Sequence, residues 1–292
     1  MKRNEYCSFT ILSFNVFSGP FSTSQENRLR YLGQLEKIKN VSPDIVCLQE
    51  FNTDEIETIY LPYMSHLDYD YYLEKDDDRH FIETKLFFLL YQLLSCIPHH
   101  GFRRFLFGKQ KHGICTFWKK NTFYLLSSNS ITFKNKGYDL LTYLRPRGFS
   151  HLSLIKKHEN YSFSLINTHM NLDNENTRYL QSKQIFHYLQ ETQRQHHSNR
   201  IVICGDFNTQ NKNEQAIQLF LSHSFINACQ DGITFLKNGF FTDWFGKLWT
   251  DKTCDFILLL GFLVKTIERI HPNEMYSDHF ALFSSLEILD KK

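Results

Sequence analysis

The stretch Ile201-Val202-Ile203-Cys204-Gly205-Asp206-Phe207-Asn208-Thr209, IVICGDFNT, carries four apolar residues straight into a glycine, a carboxylate and, two positions later, a carboxamide. A short apolar run without polar alternation, closed by Gly and Asn, predicts a strand buried on both faces that ends at a turn. Asp and Asn are good turn formers in their own right. In an extended segment, however, residues i and i+2 point the same way, so Asp206 and Asn208 are expected to address one point together.

Other apolar runs end in the same manner. Residues 11–14 lead to Asn15, the run in DIVCLQE leads to Glu50, residues 161–166 lead through NTH to His169, and Asp278-His279 stand just before the apolar run at 280–288. Further strand-like runs occupy 114–118, 151–155 and 255–260. Helical patterns lie between them. Residues 28–40 place Leu29, Leu32, Leu35 and Ile38 on one side, residues 177–190 repeat the pattern more weakly, and Asn213 stands as the cap of a turn carrying Ala216, Ile217, Phe220 and Leu221. Strands and helices that alternate without a Gly-rich phosphate loop indicate an α/β fold. In such a fold, strand ends from distant parts of the chain converge on one rim, and a rim of Asn, Glu, Asp and His is equipped for metal and acid/base chemistry.

Composition sets the outer bounds. A chain of 292 residues with 42% hydrophobic and 22% charged residues is an ordinary globular protein, which excludes disorder. Its 33 basic and 31 acidic residues leave a net charge of +2, so no overall field marks it for a polyanion. The 28 phenylalanines suit either a β-rich core or an apolar contact surface. Seven cysteines, with Cys47, Cys204 and Cys254 in or beside apolar runs, predict free buried thiols in a reducing compartment. No Cys-x-x-Cys pair announces a zinc site. Polar residues interrupt the N-terminal MKRNEYCSFTILSF, which argues against a cleavable signal peptide, and the longest apolar stretch, 86–97, is about half of a membrane span. A single domain over 1–292 is expected, monomeric and either cytoplasmic or peripheral to a membrane.

The blocks SFNVF, PDIVCLQEF, GICTFW, NTHMN, VICGDFNT, TCDFILL and YSDHFAL, in that order, resemble the endonuclease/exonuclease/phosphatase superfamily over nearly the whole chain. The resemblance implies a four-layered sandwich, two mixed β-sheets face to face with helices on the outside. It also implies roles. Glu50 would be the principal ligand of Mg²⁺, or of Mn²⁺ in its place, with Asn15 and Asp278 beside it, since hard cations prefer oxygen. His279 would accept the proton of an attacking water, held in its tautomer by Asp255. Asp206 and Asn208 would orient the water and the phosphoryl group, and His169 would donate to a non-bridging oxygen. Asp243 is a weaker supporting carboxylate. Trp118 and Cys254 depart from the family pattern, and Trp118 is expected to shape the substrate pocket.

Three features bear on the substrate. GICTFWKK with the later RPRGFSH, in which Arg147 would bind substrate, and NTHMN with Arg178 and Gln181 downstream, resemble the neutral sphingomyelinase branch. An insertion at about 85–111 carries a Leu/Phe stripe followed by Arg103, Arg104, Lys109 and Lys111, the make-up of a segment that meets a phospholipid surface. These features imply a sphingomyelinase-like phosphodiesterase. A nuclease or deadenylase acting on nucleic acid is the alternative, and a phosphoinositide phosphatase or a non-catalytic binding module fits less well.

Overall fold

The computed structural model describes residues 8–16, 24–52, 56–74, 112–134, 147–159, 161–172, 174–196, 199–229, 232–235, 251–270 and 277–289. The insertion at 85–111 and Asp243 lie outside the described residues. In chain order the elements are β1 (Ser8–Asn15), α1 (Ser24–Val41), β2 (Ile45–Asn52), a π-helical turn (Ile56–Tyr60) running into α2 (Leu61–His66), and β3 (Tyr69–Leu73). Next come β4 (His112–Lys119), β5 (Phe123–Thr132), β6 (Gly148–Lys156), β7 (Tyr161–His169) and α3 (Glu175–His196). The last are β8 (Ile201–Asp206), α4 (Gln215–Leu221), β9 (Ile226–Asn227), β10 (Asp255–Leu260), β11 (Phe262–Ile270) and β12 (Ala281–Ile288). None of the described helices is long and apolar enough to cross a membrane.

Two six-stranded sheets form, in the orders β11-β12-β1-β2-β4-β3 and β5-β6-β7-β8-β10-β9. Each is mixed. The pairs β1/β2 and β7/β8 run parallel and the remaining neighbours antiparallel. Alternation along each strand divides the apolar residues between two faces. Phe9, Ile11, Cys47, Val202, Cys204, Ile257 and Leu259 fill the space between the sheets. Leu12, Phe14, Val46 and Leu48 turn outward onto Tyr31, Leu35 and Ile38 of α1 and onto Met64 of α2. Ile166, Ile203, Phe256 and Leu258 turn outward from the second sheet onto Ile185 and Leu189 of α3 and Ile217 and Phe220 of α4. Three apolar interlayers between helix, sheet, sheet and helix make the four-layered α/β sandwich.

Phenylalanine serves the core. Phe9, Phe123, Phe163 and Phe262 meet across the sheets with ring centroids 5.0–5.9 Å apart. The described cysteines, Cys47, Cys115, Cys204, Cys229 and Cys254, are free and buried.

Three sequence readings change. In α1 the buried face is Tyr31, Gln34, Leu35 and Ile38, whereas Leu29 and Leu32 are 59% and 42% exposed, because Tyr31 and Gln34 take the inward positions. The cap of α4 is Glu214 and not Asn213, and it makes no side-chain cap bond. Its carboxylate is taken by the buried Arg178, at 2.8 Å to each oxygen. Trp118 pairs with Ile45 on the neighbouring strand and packs between the sheets, so it serves the core.

A polar bridge crosses the apolar inner layer at Gln49 and Asn167. Gln49 Nε2 donates to Asn167 Oδ1 at 2.7 Å, joining β2 to β7, and Asn167 Nδ2 is directed at the Leu48 and Cys115 carbonyls at 3.2 and 3.1 Å. Both side chains are fully buried.

Candidate active site

Sheet direction explains why the polar strand ends meet. The parallel strands β1, β2, β7 and β8 finish at Asn15, near Glu50, at His169 and at Asp206. The antiparallel strands β6, β10 and β12 begin at that same end, just after Arg147, at Asp255 and just after His279. Register fixes the neighbours: Asp206 lies opposite both His169 and Asp255. One edge of the sandwich thus collects Asn15, Glu50, Arg147, His169, Asp206, Asp255, Asp278 and His279.

Two glycines permit the close approaches. Gly205 has φ +139°, and a Cβ there would sit 2.0 Å from the Thr168 carbonyl oxygen, so only Gly lets β8 lie against β7 and deliver Asp206. A Cβ on Gly148 would meet the Ile131 oxygen at 2.4 Å, which makes Gly the residue that allows Arg147 its place at the start of β6.

Asp206 is the hub. Its Oδ2 accepts from Asn15 Nδ2 at 2.8 Å, with His169 Nε2 at 3.4 Å and His279 Nε2 at 3.9 Å. Its Oδ1 accepts the Asn208 backbone N–H at 2.7 Å. Burial raises its pKa to about 7, with the neighbouring Asp255 charge adding to the rise. His279 Nδ1–H donates to Asp255 Oδ2 at 2.9 Å. Burial opposes charge on this ring, but the Asp255 carboxylate outweighs it and holds the His279 pKa well above the ordinary value.

Glu50 is placed by an irregularity. The register of β2 against β4 slips between Gln49 and Phe51, and Glu50 is the extra residue, with φ +59°. A bulge of this kind turns a side chain out of the ladder, and a non-glycine residue there stores strain of about 1–3 kcal/mol. Arg147 Nη2 stands 3.8 Å from Glu50 Oε1, and its Nη1 touches His169 Nδ1.

The oxygen set suits a hard divalent cation. Asp278 Oδ1 is buried without a hydrogen-bond partner. Burial raises the Asp278 pKa to about 6, and the charge of nearby Glu50 adds to the rise. Two mutually repelling carboxylates with an orphaned buried oxygen, beside the Asn15 amide, are what such a cation would satisfy.

Asn208 differs from its sequence reading. The chain does not stay extended past Asp206; Asn208 adopts φ +53°, and its Nδ2 is committed to the Met170 carbonyl at 2.8 Å. It therefore braces the loop after His169 and meets Asp206 through its backbone. Two supporting residues have no prominent sequence signal. Ser277 Oγ donates to the Asn15 carbonyl at 2.8 Å and accepts the His279 N–H at 3.0 Å, and only its place inside YSDHF points to it. Thr234 Oγ1 accepts the N–H groups of Cys254 and Asp255 at 3.0 Å each.

Arg178 and Gln181 act one layer further out. Arg178 also donates to the Leu172 carbonyl, while Glu214 accepts the Gln210 N–H at 2.6 Å. Gln181 exchanges bonds of 2.8 and 3.0 Å with Asn171. Together they tie the loops after β7 and β8 to α3.

Comparison with known proteins follows the same lines. The family model described as "Endonuclease/Exonuclease/phosphatase family" matches residues 12–279. The Ccr4 subunit of Kluyveromyces lactis, a CCR4-Not complex 3′-5′-exoribonuclease, is 25% identical over 251 residues, covering 74% of this chain. The chain spans 28% of the length of that relative. The human Nocturnin catalytic domain with bound sulfate superposes with a TM-score of 0.69 at 19% identity, over 97% of this chain and 94% of that one. ANGEL2, a 2′,3′-cyclic phosphatase in complex with adenosine-2′,3′-vanadate, gives 0.66 at 17% identity, over 97% of each chain. A family match across almost the full sandwich, on a rim that holds the motif residues, means that this chain belongs to the endonuclease/exonuclease/phosphatase family, whose members hydrolyse phosphoester bonds.

Proposed function

We propose that the chain hydrolyses an RNA phosphodiester by attack of a water held between His279 and Asp206. The observation that carries the chemistry is the 3.9 Å gap between His279 Nε2 and Asp206 Oδ2, too long for a direct hydrogen bond and short enough for one water to touch both. Support for the substrate comes from the exoribonuclease named among the relatives and from the adenosine-2′,3′-vanadate held by a protein of the same fold. The sphingomyelinase-like reading rests on the sequence blocks and on the insertion at 85–111, and it is the weaker of the two.

The residues divide the work by position. In its neutral form His279 takes the proton of the water at Nε2, and Asp255, which favours the charged ring, steadies the imidazolium that results. The water oxygen bonds to phosphorus as the ester P–O bond breaks, and the departing alkoxide takes a proton from solvent. Arg147 brings its guanidinium to the rim where phosphoryl oxygens gather charge, and His169 holds it there, with Nδ1 against Arg147 and Nε2 towards Asp206. Glu50, Asp278 and Asn15 would hold Mg²⁺, with Mn²⁺ as a substitute, which when bound supplies a positive charge against the phosphoryl and leaving oxygens.

The test is a substrate panel with Mg²⁺: single-stranded RNA with an oligo(A) 3′ end, RNA ending in a 2′,3′-cyclic phosphate, duplex DNA, sphingomyelin vesicles and soluble inositol phosphates. Shortening of RNA or opening of the cyclic phosphate is expected. Preferred hydrolysis of sphingomyelin would overturn the RNA reading and restore the lipid one.

A further inference from the structure

The Cys254 thiol has no role in the chemistry above, yet it sits against the proton-transfer pair. Its Sγ lies 3.3 Å from Asp255 Oδ2 and 3.8 Å from His279 Nδ1, and those two atoms are 2.9 Å apart. We propose that Cys254, Asp255 and His279 form an inhibitory site for a borderline-soft cation, Zn²⁺ above all, distinct from the oxygen site of Glu50, Asn15 and Asp278.

Geometry and chemistry agree on this. Tetrahedral zinc with bonds of about 2.0–2.3 Å places its ligand atoms roughly 3.3–3.6 Å from one another. The observed triangle brackets that spacing, and the three donor atoms all lie within 4.8 Å of one another. One thiolate and one carboxylate cancel the charge of the ion, which a buried site requires, since all three side chains are buried. The Thr234 hydroxyl accepts both the Cys254 and Asp255 N–H groups, so these two ligands are held in place by one anchor. Water completes the four-coordinate shell. The donor set also sorts the metals, because sulfur and imidazole favour zinc, whereas Mg²⁺ avoids sulfur and prefers the all-oxygen rim.

Binding exchanges protons for metal without any redox step. The Cys254 S–H proton leaves to buffer as sulfur bonds to zinc, and the Nδ1 proton now donated to Asp255 is relocated to Nε2 through solvent as Nδ1 bonds to zinc. A neutral ring bound through Nδ1 carries its hydrogen on Nε2. That nitrogen then has no lone pair for the proton of water, and hydrolysis stops.

The experiment uses the full chain with Mg²⁺ saturating. Zn²⁺ is titrated against hydrolysis, and Co²⁺ is titrated separately while thiolate-to-cobalt charge-transfer absorption is read. Cys254→Ala and Cys254→Val are compared with wild type, the valine keeping the buried volume, and melting curves identify the folded variants. The wild type should show a one-to-one cobalt–thiolate band and reversible zinc inhibition. Folded variants should lose the band, and their half-inhibitory zinc concentration should rise about tenfold or more, the scale on which zinc sites respond to lost partners. A band that persists in a folded variant, or an unchanged sensitivity to zinc, overturns the site. Inhibition fully relieved by excess Mg²⁺ also overturns it, because that would place zinc at the oxygen rim. The cobalt spectrum needs no substrate, so its outcome stands apart from the RNA assignment.

Discussion

His279 precedes a strand of the first sheet and Asp255 opens a strand of the second, and a 2.9 Å hydrogen bond joins them across the mouth of the sandwich. The His279–Asp255 pair, the proposed proton acceptor, therefore exists only when the two sheets are in place. His279→Ala should lower kcat by about 10²–10⁴-fold with the melting temperature little changed, since general acid–base catalysis contributes on that scale. Asp255→Asn should lose much of the same factor through an unfavoured tautomer. Steady-state kinetics with circular dichroism checks both, and a wild-type kcat in either variant would remove that residue from the chemistry.

Removal of divalent metal should abolish hydrolysis, and added Mg²⁺ or Mn²⁺ should restore it. Glu50→Gln withdraws one of the two repelling carboxylates and should raise the metal concentration needed for half-maximal activity by about tenfold or more. Activity measured in EDTA, followed by back-titration, reads this directly. Persistence of full activity in EDTA would contradict the metal assignment.

Without metal, stability should fall as pH rises from about 4 to about 7. Burial raises Asp206 to about 7 and Asp278 to about 6, so between the unfolded value and these the folded state binds the extra protons, and stability present at low pH is lost as they leave. The raised His279 acts in the same direction above its ordinary value, losing its contribution as pH passes through the folded pKa. Urea midpoints across this range should decline, Asp206→Asn should flatten the slope, and a divalent cation at pH 7 should recover stability. A midpoint that rises with pH in EDTA would refute this.

Arg178→Ala should destabilise the protein by about 3–5 kcal/mol, because it strands the buried Glu214 carboxylate. The double change Arg178→Met with Glu214→Leu should recover much of that loss in denaturant unfolding. If the single change proves harmless, the pair does not anchor the loop after β8.

Gly205→Ala should cost about 2 kcal/mol or more, from its positive φ and the collision with the Thr168 carbonyl. Kinetics on the protein that remains folded should show a lower kcat, since Asp206 moves with its neighbour. An unshifted melting temperature would refute the close-approach argument.

The strands legible in the sequence are the inner ones. β1, β2, β4, β6, β7, β8, β10 and β12 are mostly buried and carry enough apolar residues to be read as strands. The four that escaped, β3, β5, β9 and β11, are the four edges of the two sheets. An edge strand has solvent along one side and needs no apolar run; seven of the ten positions of β5 are exposed, Ser127, Ser128 and Asn129 among them. The rim was legible because its groups flank apolar runs, Asn15, Glu50, His169 and Asp206 at or near their ends and Asp255, Asp278 and His279 at or before their starts. What the sequence could not reveal was backbone shape. The bulge at Glu50 and the left-handed turn at Asn208 carry no residue that favours positive φ strongly enough to announce it, apart from the asparagine itself.

The bond between Gln49 and Asn167 has a mechanical consequence. Apolar layers attract without direction, so the relative position of two sheets is held by interdigitated packing and by the polar bonds that cross between them. The half-sites ride on different sheets, Glu50 next to Gln49 on one and His169 two residues past Asn167 on the other. A directional bond buried between them acts as a dowel that blocks sliding where misalignment would pull the half-sites apart, and a displacement of about 1 Å is enough to reduce a catalytic rate by roughly 10²-fold. Alignment of the sandwich and competence of its rim are thus one mechanical property.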